Sequence, residues 1–346
     1  MSFATTFIPA HHENIRYYGR WDVRDPLHPG FSWPGVYLRL RFTGSHIGIR
    51  TSDSVNYYNV YIDNRLHGVF HGSTPGTNDY ILAGSLDSTE HTLLLSRRNI
   101  TFDTEYFIDG FLVDEGASLL DPPPDLPRKI ELIGDSFTAA ECNETTEEYL
   151  PWEERYPVTN IDKGFAVLIA RHFNAEYVTT CRSGSGMVCD WQGMSEGSIP
   201  TRFDRTLMEV PTPKWDFSQW IPDVAVICLG LNDLTGLKDG DGNVSDKHSA
   251  LFRKKYHEFL NTVRSVYPDT SIVAVAAFHE WIRSNVRQVV NEERQAGRKH
   301  IYYSQFDEFP DGYVGNGHPT VMTHKKMADQ VIRDMESFHL FPDHKK

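Results

Sequence analysis

The hydrophobic pattern of this 346-residue chain changes its period once, and that change constrains the fold more than any other feature. From about residue 15 to 118 the pattern is short alternation. In GVYLRLRFTG, Val36, Leu38, Leu40 and Phe42 fall on one side, while Tyr37, Arg39 and Arg41 fall on the other. HIGIRTS, YYNVYIDNRLHGVF, HTLLLS and EYFIDGFLVD follow at short intervals, with Asp63-Asn64 and Asp109-Gly110 as turn signals. Short strands with no convincing helical stretch between them predict an antiparallel β-sandwich over residues 1–120, with a jelly-roll as the expected subtype.

The stretch DPPPDLPRK (121–129) then holds four prolines in nine residues. Proline removes backbone donors and excludes regular structure, so this stretch reads as an extended linker. Beyond it the apolar runs become continuous: KIELIG (129–134), EYVTTC (176–181), DVAVICLG (223–230), SIVAVAAF (271–278) and HIYYSQ (300–305). Between them lie helical spacings, such as IDKGFAVLIARHF with Phe165, Leu168, Ile169 and Phe173 on one face. RKKYHEFLNTVRSVY and the terminal set Met327, Val331, Ile332, Met335 and Phe338 repeat the pattern. Strands buried on both faces and alternating with helices predict an α/β domain over 130–346, a parallel sheet in a three-layer α/β/α arrangement.

Charge and cysteine usage narrow the partners. The chain carries 34 basic and 47 acidic residues, a net charge of −13. Nucleic-acid binding rests on Lys and Arg neutralising phosphates, so no nucleic-acid partner is expected. No run approaches the roughly 20 apolar residues of a membrane span, and no membrane partner is expected. The opening MSFATTFIPAHHENIRYYG has neither a basic leader nor an apolar centre. The expectation is an intracellular protein, or a secreted one whose leader has been removed. Four cysteines make no disulfide framework at this length. Cys228 reads as a buried strand residue; Cys181 and Cys189 flank a glycine turn and could pair, with free thiols the favoured reading. The sequons at Asn99, Asn143 and Asn243 would matter only in a secreted chain.

In a parallel sheet, ligands bind outside the carboxyl ends of the strands. Four polar pieces bear on that edge. Ser136 follows KIELIG directly, where a strand-to-helix turn exposes a hydroxyl; its plain alternative is a helix cap. Arg182-Ser183-Gly184-Ser185-Gly186 follows the next strand, and a glycine there lets a backbone N–H approach a ligand. Gly184 is the candidate donor, with Gly186 its rival. Asn232, in LGLND, can point its amide at the same place, or simply end the strand in an Asx turn. His318, in NGHPT, precedes a proline and a helix and comes late in the chain, as the histidine of an α/β hydrolase does. Acyl transfer needs a nucleophile, a base and oxyanion donors, and the four pieces together supply them.

These four blocks resemble the SGNH (GDSL-type) hydrolases, matching Ser136 in GDSFT, Gly184 in SGSG, Asn232 in GLND and His318 in GHPT. The resemblance is closer to carbohydrate esterase family two, whose acetyl esterases carry a jelly-roll ahead of the SGNH domain. GRWD (19–22), the linker into IELIGDS, WDFSQWIPDVAVICLGLND (215–233) and GHPTVMTHKKMA (317–328) extend the match over nearly the whole chain. It implies removal of O-acetyl groups from sugars or polysaccharides with no metal and no organic cofactor. In that setting Ser136 is the nucleophile and His318 its base. The oxyanion hole is the N–H groups of Ser136 and Gly184 with the Asn232 amide.

SGNH enzymes usually carry an aspartate three residues before the histidine, where this chain has Gly315. Two explanations stand: a Ser–His dyad whose imidazole is held by a backbone carbonyl, or Asp311, with Asp307 behind it, reaching in from the preceding loop. Asp135 and Asp233 read as braces for their turns. Trp281 in HEWIR and Trp191 after the glycine turn are candidate sugar platforms or core residues. The insert AECNETTEEYLPWEE (140–154), with six glutamates, reads as a solvated loop or as a rim of the pocket. Two other activities stay open: a lipase or thioesterase built on the same site, and a glycan-binding protein that does not catalyse.

Overall fold

Val36, Leu38, Leu40 and Phe42 are buried together, as their alternation requires. Arg39 and Arg41 face the partly open side of the same strand, Tyr37–Thr43. Tyr37 is buried too, because Tyr18 stacks on it with ring centroids 4.6 Å apart. The computed structural model describes residues 4–103, 105–310 and 312–341. They form two units.

The first unit is an antiparallel sandwich of two six-stranded sheets. In one, Tyr37–Thr43 pairs with Glu90–Arg97, followed by Tyr57–Ile62 and Arg65–His71, with Arg16–Tyr18 and Leu119–Leu120 also on Tyr37–Thr43. In the other, Tyr106–Asp114 pairs with Thr5–Pro9, Gly30–Phe31 and Ile47–Thr51, and Trp21–Asp22 and Asn78–Ala83 complete the sheet. Asp63-Asn64 makes the expected hairpin turn, with φ of 50° and 63°. Asp109-Gly110 does not turn the chain. It lies inside Tyr106–Asp114 as a bulge, with the register shifting between Ile108 and Gly110. A Cβ on Gly110 would lie 2.2 Å from Ile8 O, so glycine here serves close approach of a strand.

The second unit holds five parallel strands: β1 (Arg128–Gly134), β2 (Ala175–Cys181), β3 (Val224–Cys228), β4 (Ser271–Ala276) and β5 (Ile301–Gln305). Their order is β2-β1-β3-β4-β5, every pair parallel. The helices are α1 (Phe165–His172), α2 (Leu231–Gly236), α3 (Asp246–Val266), α4 (Glu280–Gln295) and α5 (Val321–Ser337). α1 packs on α5 and α3 on α4. Ala225 and Ile227 of β3, with Ile272 and Ala274 of β4, share a core with Phe252 and Phe259 of α3 and Val286 and Val289 of α4. Both strand faces are covered, which explains the continuous apolar runs. α1 is buried nearly all round, and Ala166, Val167 and Ala170 are more enclosed than Leu168. The strand order reverses between β1 and β3, where open α/β sheets place their ligands.

The division into 1–120, 121–129 and 130–346 misses one excursion. The first unit runs through Asp125 and also takes Arg205–Trp215, while the second takes Leu126–Asp204 and everything from Asp216. Within the first unit Met208 N–H donates to Ser32 Oγ (2.7 Å), and Arg20 donates to Arg205 O (2.9 Å). The Arg20 guanidinium also lies 5.5 Å from the Trp215 ring. These contacts are made by single residues without a period, so no pattern announces them. All four cysteines are buried free thiols, Cys181 and Cys189 included. Among the described residues no helix is long and apolar enough to cross a membrane. Asn99 and Asn143 are buried, which leaves Asn243 as the exposed sequon.

Candidate active site

The turn after β1 is built by Gly134 and Asp135. A Cβ on Gly134 would lie 2.0 Å from Thr138 Oγ1, so only glycine lets the chain fold back this tightly. The Asp135 carboxylate accepts the Phe137 N–H (3.0 Å), and Ala139 and Glu141 donate to the carbonyls of Asp135 and Ser136 (3.0 Å each). The side chain that caps this turn is therefore Asp135, not Ser136. Ser136 itself is nearly buried, at 9% exposure.

After β2, Arg182–Ser185 forms a turn closed by Ser185 N–H to Arg182 O (3.2 Å), with Gly184 at φ +77°. Gly184 and Gly186 differ in what they have left to offer. Gly186 N–H is spent on Cys189 O (2.8 Å), and a Cβ there would lie 2.4 Å from Asp233 Oδ2. Gly184 N–H makes no such bond among the described residues, which separates it from its rival.

Asn232, the second residue of α2, ties these turns together. Its Nδ2 donates to Ser185 O (2.9 Å) and, more weakly, to Asp135 Oδ2 (3.4 Å). The neighbouring Asp233 carboxylate accepts three successive N–H groups, from Met187 (2.7 Å), Val188 (2.6 Å) and Cys189 (3.3 Å). Burial raises Asp135 to about 7 and Asp233 to about 6, against the lowering effect of their backbone donors. Both aspartates brace their turns, as expected, and the loops after β1, β2 and β3 are stitched into one surface.

His318 begins the second strand of a two-residue ladder, His318–Pro319 on Tyr313–Val314. Its Nδ1 lies 2.6 Å from Gly315 O. A carbonyl only accepts, so Nδ1 carries the proton and Nε2 of the neutral ring presents a lone pair. Gly315 sits at φ +45°, and a Cβ there would lie 2.3 Å from Cys142 Cβ. The place where an aspartate would stand is thus occupied by Cys142. Asp311 lies outside the described residues. Asp307 is exposed, its N–H bonded to Gln330 Oε1 (2.9 Å).

Four residues around the imidazole are missing from the reading of the sequence. Phe137 presents its ring to His318 in a T-shaped contact at 6.2 Å, and Phe278 and Tyr313 extend this aromatic wall. Phe278 could have been found, since it ends the run SIVAVAAF at the ligand edge of the sheet. Glu141 could not, being one of six glutamates in its insert. Only 2% exposed, it lies with Oε2 3.6 Å from His318 Nε2. The insert is no solvated loop at its start. Gly315 and Asn316 donate to Glu147 O (2.7 Å) and Glu148 O (2.8 Å), and Val321 donates to Asn143 O (3.1 Å), which ties the insert to the histidine loop.

Glu141, Cys142 and His318 bring potential metal-ligating atoms within 4.8 Å of one another. The set does not fit a metal: Glu141 is paired with Arg155 (2.9 Å), and burial holds the Cys142 thiol up at about 12, hence protonated. The two tryptophans also part company. Trp191 is 55% exposed and packs beside Gly184, whose carbonyl accepts the Trp191 N–H (2.9 Å). Trp281 is half-buried, its indole N–H bonded to Ser249 Oγ (2.8 Å) and its ring 4.9 Å from Phe252.

The chain is similar to several known carbohydrate esterases. Residues 17–123 match the family described as carbohydrate esterase 2 N-terminal. The cellulase/esterase CelE of Acetivibrio thermocellus is 30% identical over 336 residues, which is 93% of this chain and 39% of CelE. An acetylxylan esterase / glucomannan deacetylase of Cellvibrio japonicus is 32% identical over 63% of this chain and 60% of its own length. This chain therefore spans less than two thirds of either relative. The structure of a family two carbohydrate esterase from Clostridium thermocellum, in complex with cellohexaose, superposes with a TM-score of 0.84. It is 28% identical and covers 94% of this chain and 100% of that one.

Proposed function

The chain is a relative of the family two carbohydrate esterases along both of its units, and on that premise we propose that it is a serine esterase removing O-acetyl groups from sugars or polysaccharides. The observation that carries this reading is the bond from His318 Nδ1–H to Gly315 O, because it leaves Nε2 as a base. His318 Nε2 takes the proton of Ser136 Oγ as that oxygen attacks the acetyl carbonyl. The N–H groups of Ser136 and Gly184 hold the oxyanion, joined by the Asn232 amide as it gives up its weaker bond to Asp135 Oδ2 (3.4 Å), and such donors are each worth about 3 kcal/mol. His318 then passes its proton to the departing sugar oxygen. In the second half, His318 deprotonates a water that attacks the acetyl-enzyme, and acetate leaves. The Gly315 carbonyl orients the ring, and among the described residues no aspartate is bonded to it.

Trp191 is the platform for the sugar. It is exposed and touches the loop that carries Gly184, whereas Trp281 is anchored in the helical layer. The cellohexaose bound to the Clostridium thermocellum esterase supports a site of this kind that accepts a glucan chain. The test is acetate release from a panel of acetylated monosaccharides and polysaccharides, with Ser136→Ala as the control. Release from acetylated sugars, abolished in Ser136→Ala, is the expected result. Substantial activity left in Ser136→Ala rejects the site, and hydrolysis confined to non-sugar esters rejects the substrate class.

A further inference from the structure

Glu141 has no part in that reaction, yet among the described residues it is the carboxylate that pairs with His318. A buried carboxylate is costly unless paired and hydrogen-bonded. Here Oε1 accepts from Arg155 Nη1 (2.9 Å), and Oε2 accepts from Ser183 Oγ (2.5 Å) while lying 3.6 Å from His318 Nε2. Its own N–H is bonded to the carbonyl of Ser136 (3.0 Å), so the position of the carboxylate is tied to the proposed nucleophile. The residues on either side, Ala140 at φ 54° and Cys142 at φ 57°, are both left-handed without being glycine. Two such outliers in three residues are rare and costly, and they cluster where a side chain must be aimed.

The opposite edge of the ring supplies the contrast. Nδ1 faces a neutral carbonyl, and Cys142 leaves no room there for a carboxylate. We propose that Glu141 is the charge partner of His318, a positioning residue that provides from the Nε2 side the negative charge missing behind Nδ1. The proposal rests on the Ser136–His318 reading. As Ser136 Oγ bonds to the acetyl carbon, its proton moves to Nε2 and the ring becomes an imidazolium. Glu141, held by Arg155 and Ser183, stabilises that cation. At 3.6 Å it stands beyond hydrogen-bond range, because Arg155 and Ser183 hold it back. The Nε2 proton therefore remains free to go to the departing sugar oxygen.

The experiment compares steady-state hydrolysis of an aryl acetate by the full chain and by Glu141→Gln, Glu141→Asp, Ser183→Ala and Ser136→Ala. Glu141→Gln keeps the shape and removes the charge. It should lower kcat by about 10- to 100-fold with KM within about twofold, since a nearby opposite charge favours an ionised group by such factors. Glu141→Asp, which restores the charge, should recover part of that loss. The rate at which an organophosphonate modifies Ser136 should fall in step, because it reports activation of the hydroxyl without turnover. Should Glu141→Gln fail to fold, Ser183→Ala carries the test: it frees Oε2 to close on Nε2 and should lower kcat with KM unchanged. Full kcat in Glu141→Gln, equal losses in the Gln and Asp variants, or full kcat in Ser183→Ala as the substitute overturns the proposal. Activity surviving in Ser136→Ala instead overturns the reading of the site on which it rests.

Discussion

Gly315 carries two demands that no other residue meets. Its φ of +45° is left-handed, and any Cβ would lie 2.3 Å from Cys142 Cβ and 3.1 Å from Thr145 Cγ2. Placing there the aspartate that SGNH enzymes usually hold should therefore damage this protein. Gly315→Asp is expected to cost about 2–4 kcal/mol of stability, from backbone strain and overpacking. Because Gly315 O holds His318, the same variant should lose activity. Thermal melting and kcat measure the two effects, and a gain in kcat would reinstate a triad. A second prediction separates the tryptophans. Trp191→Ala should raise KM for an acetylated polysaccharide about three- to tenfold and leave aryl acetate hydrolysis within twofold, as loss of a stacking face requires. Trp281→Ala should instead cost about 1–3 kcal/mol of stability, because its ring and indole N–H are spent on Phe252 and Ser249. Both tryptophans were visible as candidates. Their difference was not, because burial is a property of neighbours far along the chain.

Turns and helices around the site set a pH dependence with two opposing parts. Asp135 and Asp233 sit at about 7 and about 6 in the fold, raised chiefly by burial. Above the ordinary carboxylate value of about 4, the unfolded chain gives up protons that the fold keeps. The stability these groups contribute is thus full at low pH and is lost as the pH rises from about 4 to 7. On α5, His324 runs the other way. Burial, with the nearby His318 adding to it, holds it down at about 3, and its Nδ1 accepts the Phe165 N–H (3.3 Å). Its contribution is lost as the pH falls from its ordinary value of about 6.5 towards 3. Asp135→Asn should flatten the decline of Tm between pH 4 and 7, and His324→Asn the decline between pH 6.5 and 3. Melting curves across that range decide it; an unchanged slope in either variant removes that group from the account. The strands leading to Asp135 and Asp233, and the helix that carries His324, were legible from their apolar patterns. Of the two readings of the insert at 140–154, the solvated loop fails at its start, because composition cannot tell a solvated glutamate from one buried against Arg155.

For the molecule as a whole, the two periodicities predict two kinds of sheet, and two kinds are present. The cut between them is less simple than the proline run suggests, since Arg205–Trp215 belongs with the first unit. Leu207 and Met208 are buried, and Met208 is bonded to Ser32. A fragment of residues 130–346 should therefore expose these side chains, and be less soluble and lower in Tm than the full chain. Solubility and melting of the two measure this, and equal behaviour would show that the excursion is dispensable. Hydrophobic period, strand-end position and the order of the four polar blocks are local or nearly local properties. They were enough to identify a sandwich, a parallel sheet, and Ser136, Gly184, Asn232 and His318 as the residues to watch. Other features depend on burial and hydrogen-bond geometry, with partners near or far along the chain that carry no pattern of their own. Asp135 rather than Ser136 caps the first turn, Gly184 rather than Gly186 keeps a free N–H, a carbonyl holds His318, and Glu141 stands beside it. Only the folded chain decides those, because burial and hydrogen-bond geometry do not exist until the loops have met.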